Sequence, residues 1–256
     1  MPKKHRTNSV NFPPPQVPSQ NPTPPPPPPP PRAITRKPLT RKPIQRNSYK
    51  PNNNPFVFSN AIIAINLGLF VWSQISGVNR FQYNMFLSRV FLDNGEWYRL
   101  VSAGFVHFGL FHVAMNMFLL FQLGRMLEPT IGSTKFALIY FASLLGGSAG
   151  ALLLSPTAFT GGASGAVFGV MAAGVVGMRQ QGANPFNSGL GMTFAINIVL
   201  TLAIPGISIG GHFGGALAGA VCGLVMLAPT RIKIPEFVQY ATPILVGAAA
   251  IYISLA

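Results

Sequence analysis

From Phe56 onward the chain alternates long apolar stretches with short breaks of charge, proline or glycine. The stretches cover about 56–78, 108–124, 136–154, 162–178, 187–204, 207–228 and 237–255. Each reaches or approaches the roughly 17–25 residues needed to cross a ~30 Å hydrocarbon core. The pattern predicts an all-α polytopic membrane protein with seven spans. Seven buried helices of a soluble core are excluded, because too few polar residues remain to cover them.

Residues 1–55 read the opposite way. They hold 18 of the 25 prolines and 10 of the 18 Lys and Arg residues, with no acid. Proline lacks the amide donor and fixes φ, so the run Pro24–Pro31 is expected to be extended, partly polyproline II, within a disordered tail. The stretch is too long and too basic for a secretory leader. A basic tail beside an apolar segment is read as facing anionic lipid at the cytoplasmic surface, not nucleic acid. What binds the proline run is left open; an SH3-like partner fits its chemistry.

Charge sets the expected orientation. With the tail cytoplasmic, the inner connections carry Arg125, Lys135, Arg179, Arg231 and Lys233. The outer ones carry Arg80, Arg89 and Arg99, all in the 79–106 loop, as the positive-inside rule requires. That loop also holds Phe81, Tyr83, Phe86, Phe91, Trp97 and Tyr98, the aromatic content of a membrane interface. The acids are only Asp93, Glu96, Glu128 and Glu236, all outside the expected spans. Their scarcity removes paired-carboxylate and aspartyl chemistry. Cys222 stands alone, so neither an internal disulfide nor a thiolate cluster is available. With three histidines outside the tail and no acidic partner, the sequence calls for no metal and no cofactor.

Polar residues inside a span are costly and are functional candidates by default. Here they are His112, Asn116 and Gln122 on span 2, Ser164 opening span 4, Asn197 on span 5 and His212 early on span 6. Gln122 and Asn197 read as interhelical hydrogen-bond glue. The others share a depth. At 1.5 Å per residue, His112, Ser164 and His212 lie ~20, ~22 and ~29 Å above the inner Arg of their helices, in the outer half of the membrane. A transporter would spread its polar groups through the full depth. Glycines at 211, 215, 219 and 223 on span 6 match Gly165, Gly169, Ala173 and Gly177 on span 4. Small residues every four positions let helix backbones approach closely, and a 4–6 contact would place Ser164 beside His212. Serine within reach of histidine is an activated nucleophile. No intramembrane acid is present to complete a triad, so the expected catalyst is a Ser–His dyad.

These residues resemble the rhomboid family of intramembrane serine proteases, over about residues 56–230. Gly162-Ala163-Ser164-Gly165 matches Gly-x-Ser-Gly, and His112-Val-Ala-Met-Asn116 matches His-x-x-x-Asn. Gly211-His212-Phe213-Gly214-Gly215, Trp97-Tyr98-Arg99, Phe105-Val106-His107 and Glu128 with Gly132 follow in the family's pattern. The resemblance implies Ser164 as nucleophile and His212 as general base. It implies an oxyanion hole from His112, Asn116 and the Ser164 amide, with Gly162 and Phe168 as active-site support. His107 reads as structural, and Trp97 and Arg99 as loop-ordering.

The resemblance also implies cleavage of single-span membrane proteins near the outer end of their transmembrane helix, with span 5 as a candidate gate. The alternative is an inactive rhomboid-like protein that binds membrane clients. The expected organisation is a tail (1–55), a six-span core (56–230) and an additional C-terminal span (231–256). The expected setting is a multi-pass protein of a bacterial plasma membrane, with transmembrane proteins as substrates.

Overall fold

A computed structural model describes residues 56–256; the predictions for the tail lie outside the described residues. The seven expected spans are seven helices: α1 (Val57–Ser76), α5 (Leu110–Ile131), α6 (Ser133–Leu154), α7 (Ser164–Gln180), α8 (Leu190–Ala203), α9 (Ile209–Met226) and α10 (Glu236–Leu255). Between α1 and α5 lie three short helices, α2 (Val78–Tyr83), α3 (Arg89–Asp93) and α4 (Arg99–Ser102). Among the described residues, the only β-type pairing is an isolated bridge between Leu87 and Thr160.

Five helices, α1, α5, α6, α9 and α10, are long and apolar enough to cross a membrane by length and composition. The other two expected spans are shorter: α7 has 17 residues and α8 has 14. At 1.5 Å per residue α8 extends only ~21 Å, well short of a ~30 Å core. The outward surface is apolar, with Phe111, Leu217, Ile244 and Leu245 exposed. In water such a surface would drive aggregation; against lipid tails it is the matching solvent.

Backbone contact, made possible by glycine, organises the centre. Helix α9 lies between α6 and α7. A methyl group at Gly165 would sit 3.1 Å from the Gly211 carbonyl oxygen, and one at Gly223 would sit 2.7 Å from Ala173 Cα. The 4–6 stripe pairing expected from the sequence is therefore present. A third glycine run on α6 was not expected: a methyl at Gly146 would lie 2.9 Å from the Gly214 oxygen, and one at Gly147 would lie 2.9 Å from the Gly211 oxygen. With no side chains between them, the three backbones pack at close range.

The end of the second span differs from the sequence reading. The second span does not stop at Arg125 but runs to Ile131, through Glu128 and Pro129. The reason is a tertiary cap. Glu128 is fully buried, and its carboxylate accepts the Phe58 and Ser59 amides at 2.8 and 3.0 Å and the Ser133 hydroxyl at 2.6 Å. The first turn of α1 has no side-chain cap of its own, and its free N–H groups favour a negative partner. Arg125 is accommodated over the rings of Phe56 and Phe121, 4.3 and 4.8 Å from their centroids.

The 79–106 segment is a folded element built around Arg99, whose side chain is buried. Its guanidinium donates to the Glu96 carboxylate and to the carbonyls of Tyr83 and Phe86, and lies 3.8 Å from the Phe91 centroid. The hydrogen bonds from Tyr98 and Arg99 hold the Glu96 carboxyl below the ordinary range. Arg99 thus orders the loop as expected. Trp97, by contrast, is 67% exposed.

Candidate active site

The three residues singled out for chemistry all lie at helix N-terminal ends. Ser164 is the first residue of α7, His112 lies in the first turn of α5, and His212 lies in the first turn of α9. Gly147 of α6 packs beside Gly165, with a methyl at Gly147 falling 3.2 Å from Gly165 Cα. Gly147 is seven residues before the end of α6. Ser164 therefore lies ~10 Å along the axis from the C-terminal end of α6.

The connection leading into Ser164 is held at several points. Leu87 and Thr160 exchange two backbone hydrogen bonds of 2.9 Å, Gly162 N–H donates to the Ala103 carbonyl at 2.8 Å, and Arg89 N–H donates to the Pro156 carbonyl at 2.8 Å. All three partners belong to the folded 79–106 segment. This explains why that segment matters to the site: it sets where α7 begins.

Gly162 adopts φ +122°, a region open to glycine. A methyl group there would fall 2.7 Å from His112 Cε1, 2.8 Å from His112 Nε2 and 3.8 Å from Ser164 Oγ. The missing side chain therefore leaves a small space flanked by the serine hydroxyl and the His112 imidazole. Asn116, one turn along α5, donates one amide hydrogen to the His112 carbonyl at 2.9 Å, which leaves its second N–H uncommitted.

His212 stacks on Phe168, with centroids 4.0 Å apart and planes 21° from parallel. Phe168 lies one turn after Ser164 on α7, so the imidazole is laid against the serine's own helix. Among the described residues no hydrogen bond of 3.5 Å or less joins Ser164 Oγ to His212. The ring's Nδ1 instead pairs with Thr201 Oγ1 at 2.7 Å. Catalytic hydrogen bonds are often long before substrate arrives.

Sequence reasoning assigned His107 a structural role, and it is closer to the site than that implies. It is buried, its ring centroid is 5.0 Å from that of His112, and its Nε2 accepts the Ala163 amide at 3.4 Å. Accepting at Nε2 requires that nitrogen to be unprotonated. Burial, with the neighbouring His112, pushes this imidazole down to about 3 and keeps it neutral. The signal was its position five residues before His112. Gln122 lines a cavity of about 120 Å³ with Leu190 and Thr193, and Asn197 donates to the Thr193 carbonyl of its own helix at 2.8 Å.

Comparisons with known proteins show the family. A family model described as "Rhomboid domain" matches residues 94–229, which is 136 of the 256 residues. The chain belongs to the rhomboid family. Rhomboid protease GluP of Bacillus subtilis is 32% identical over 131 residues, covering 50% of this chain and 26% of that protein. RHOMBOID-like protein 6, mitochondrial, of Arabidopsis thaliana is 29% identical over 200 residues, 76% of this chain and 60% of the relative. Rhomboid-type serine protease 2 of Emericella nidulans is 28% identical over 144 residues, 54% of this chain and 29% of its own length. The chain thus spans between a quarter and three-fifths of the length of these relatives. Its family and its apolar helices make it an integral membrane protein.

Proposed function

We propose that this rhomboid is an intramembrane serine endopeptidase that cuts single-span membrane proteins near the outer end of their transmembrane helix. The observation that carries the reading is the stacking of His212 on Phe168, one turn from Ser164, beside the space that Gly162 leaves next to His112.

Ser164 Oγ attacks the scissile carbonyl carbon as its proton passes to His212 Nε2. The oxygen of the resulting tetrahedral adduct sits in the Gly162 space, where His112, Asn116 and the Ser164 amide supply donors. His212 then returns the proton to the departing amine, the C–N bond breaks, and an acyl-enzyme remains. Water, deprotonated by the same imidazole, releases the serine. Phe168 keeps the ring in plane, and Gly162 keeps the oxyanion space open. A helical peptide bond is shielded by its own hydrogen bonds, so segments weakened by Gly, Ala or Pro are the favoured substrates.

A depth of ~10 Å from the C-terminal end of α6 supports access of water from the outer side in the proposed orientation. Residues 1–55 are assigned to the cytoplasmic face, 56–230 to the six-helix core and 231–256 to the additional helix. A bacterial plasma membrane suits the arrangement, and the match to plant and fungal rhomboids leaves a eukaryotic membrane as the competing setting. The test is cleavage of a model single-span substrate by the wild-type chain and by Ser164→Ala. Wild-type cleavage lost in the variant is expected; equal cleavage by both would overturn the assignment.

A further inference from the structure

The dyad lacks a carboxylate, yet a base imidazole needs something to fix its tautomer and orientation. We propose that Thr201 is that positioning residue: a neutral hydroxyl, supplied by α8, that holds the proton of His212 on Nδ1 and leaves Nε2 free to act as base. The proposal rests on the dyad reading above.

The argument is a count of protons. Thr201 Oγ1 is 2.7 Å from the Asn197 carbonyl oxygen, one helical turn earlier, and 2.7 Å from His212 Nδ1. A carbonyl oxygen only accepts, so the contact to Asn197 is a hydrogen bond only if the hydroxyl donates its single proton there. Oγ1 is then an acceptor toward the imidazole, and the proton between Oγ1 and Nδ1 belongs to Nδ1. The opposite assignment, hydroxyl to Nδ1, would leave two oxygens with facing lone pairs at 2.7 Å. The carbonyl of Asn197 therefore polarises the hydroxyl, and the hydroxyl selects the reactive tautomer.

The placement of Thr201 agrees. Helix α8 buries little of itself: Met192, Ile196, Val199, Leu200 and Leu202 are all exposed. In its C-terminal half Thr201 is the buried residue, at 2% exposure. Besides Leu190 and Gly191 at its start, the buried residue of this helix is the one whose hydroxyl meets the candidate base. A purely apolar contact would have served packing as well, so the hydroxyl is the informative part. A displacement of α8 away from α9 would break this bond, so the position of α8 sets the state of the base.

The test is nitrogen-15 spectroscopy on the full chain with labelled histidine, the His212 signals being assigned by difference from His212→Asn. It is run for the wild type, Thr201→Val and Thr201→Ser, alongside steady-state cleavage. The expected result is a protonated Nδ1 and an unprotonated Nε2 in the wild type and in Thr201→Ser, with mixed tautomers in Thr201→Val. The kcat of Thr201→Val should fall about tenfold, the scale of one neutral hydrogen bond, at unchanged KM, and Thr201→Ser should restore it. A wild-type ring protonated on Nε2, or a Thr201→Val ring identical to wild type, would overturn the proposal. The spectra are read without catalysis, so equal cleavage by wild type and Ser164→Ala would remove the protease reading while the tautomer result still decided this one.

Discussion

Helices α9 and α8 are neighbours in sequence and opposites in construction. Helix α9 is locked between α6 and α7 by glycine contacts on two faces, with backbones where side chains would normally intervene. Helix α8 is short and largely exposed; it packs Phe194 and Ile198 against the core, and in its C-terminal half the buried contact is Thr201 with His212. The two members of the candidate dyad sit on the locked pair, α7 and α9, where a displacement of even a methyl group has nowhere to go. Thr201, the proposed positioning residue, sits on the short, exposed helix α8. The lesson is that the proposed roles are divided between elements: the spacing of Ser164 and His212 is set by α7 and α9, whereas the proposed tautomer control of His212 comes from α8.

The comparison can be broken at several strengths. The largest effect is expected from Gly219→Leu, because the added side chain would run into the Gly169 backbone of α7. Overpacking costs about 1–3 kcal/mol where side chains can yield and more where backbone cannot; the variant should fail to fold, read as loss of the monodisperse species in detergent. Next is Gly162→Ala, which fills the space between His112 and Ser164 and strains a φ of +122°. Cleavage should fall about 100-fold or more, the scale of losing an oxyanion donor, in a protein that still purifies.

The folded 79–106 segment supports the locked side, and Arg99→Ala tests it. Two carbonyls and Glu96 lose their charged donor, and a loss of about 2–3 kcal/mol is expected in a thermal or denaturant titration. His107 gives the same support a pH dependence. Its folded value of about 3 lies below the ordinary 6.5, so between those values the unfolded chain binds the extra proton. Stability is therefore present above about pH 6.5 and is lost as pH falls toward 3. Between pH 6.5 and 5 the expected loss is about 1–2 kcal/mol, and His107→Gln should flatten the slope. The smallest effect belongs to the exposed face of α8: Val199→Ala should change stability by less than about 0.5 kcal/mol.

Much of this was legible in the sequence, for definite reasons. Apolar length gave seven helices, and repeats of four gave the pairing of α7 with α9, because both follow from the period of a helix. Histidine and serine inside apolar stretches stood out because a bilayer tolerates so few. What the sequence hid depends on distant partners. Glu128, expected in the connection after the second span, belongs to α5 and caps α1, 69 and 70 residues away. Gly146, Gly147 and Gly150 form a third run that acquires meaning only against α9. Thr201 left one usable sign: Thr193, Asn197 and Thr201 repeat every four along an otherwise apolar helix. Only Asn197 of that ladder was read, as interhelical glue; its last member, Thr201, meets His212.

The central claim is that Ser164 is a nucleophile activated by His212. The most direct measurement is covalent labelling of the membrane-embedded full chain with a fluorophosphonate, read by intact-protein mass. The account predicts one adduct on Ser164 in the wild type, and none in Ser164→Ala or His212→Ala. Labelling of the wild type at another residue, or undiminished labelling of Ser164 in His212→Ala, would contradict it.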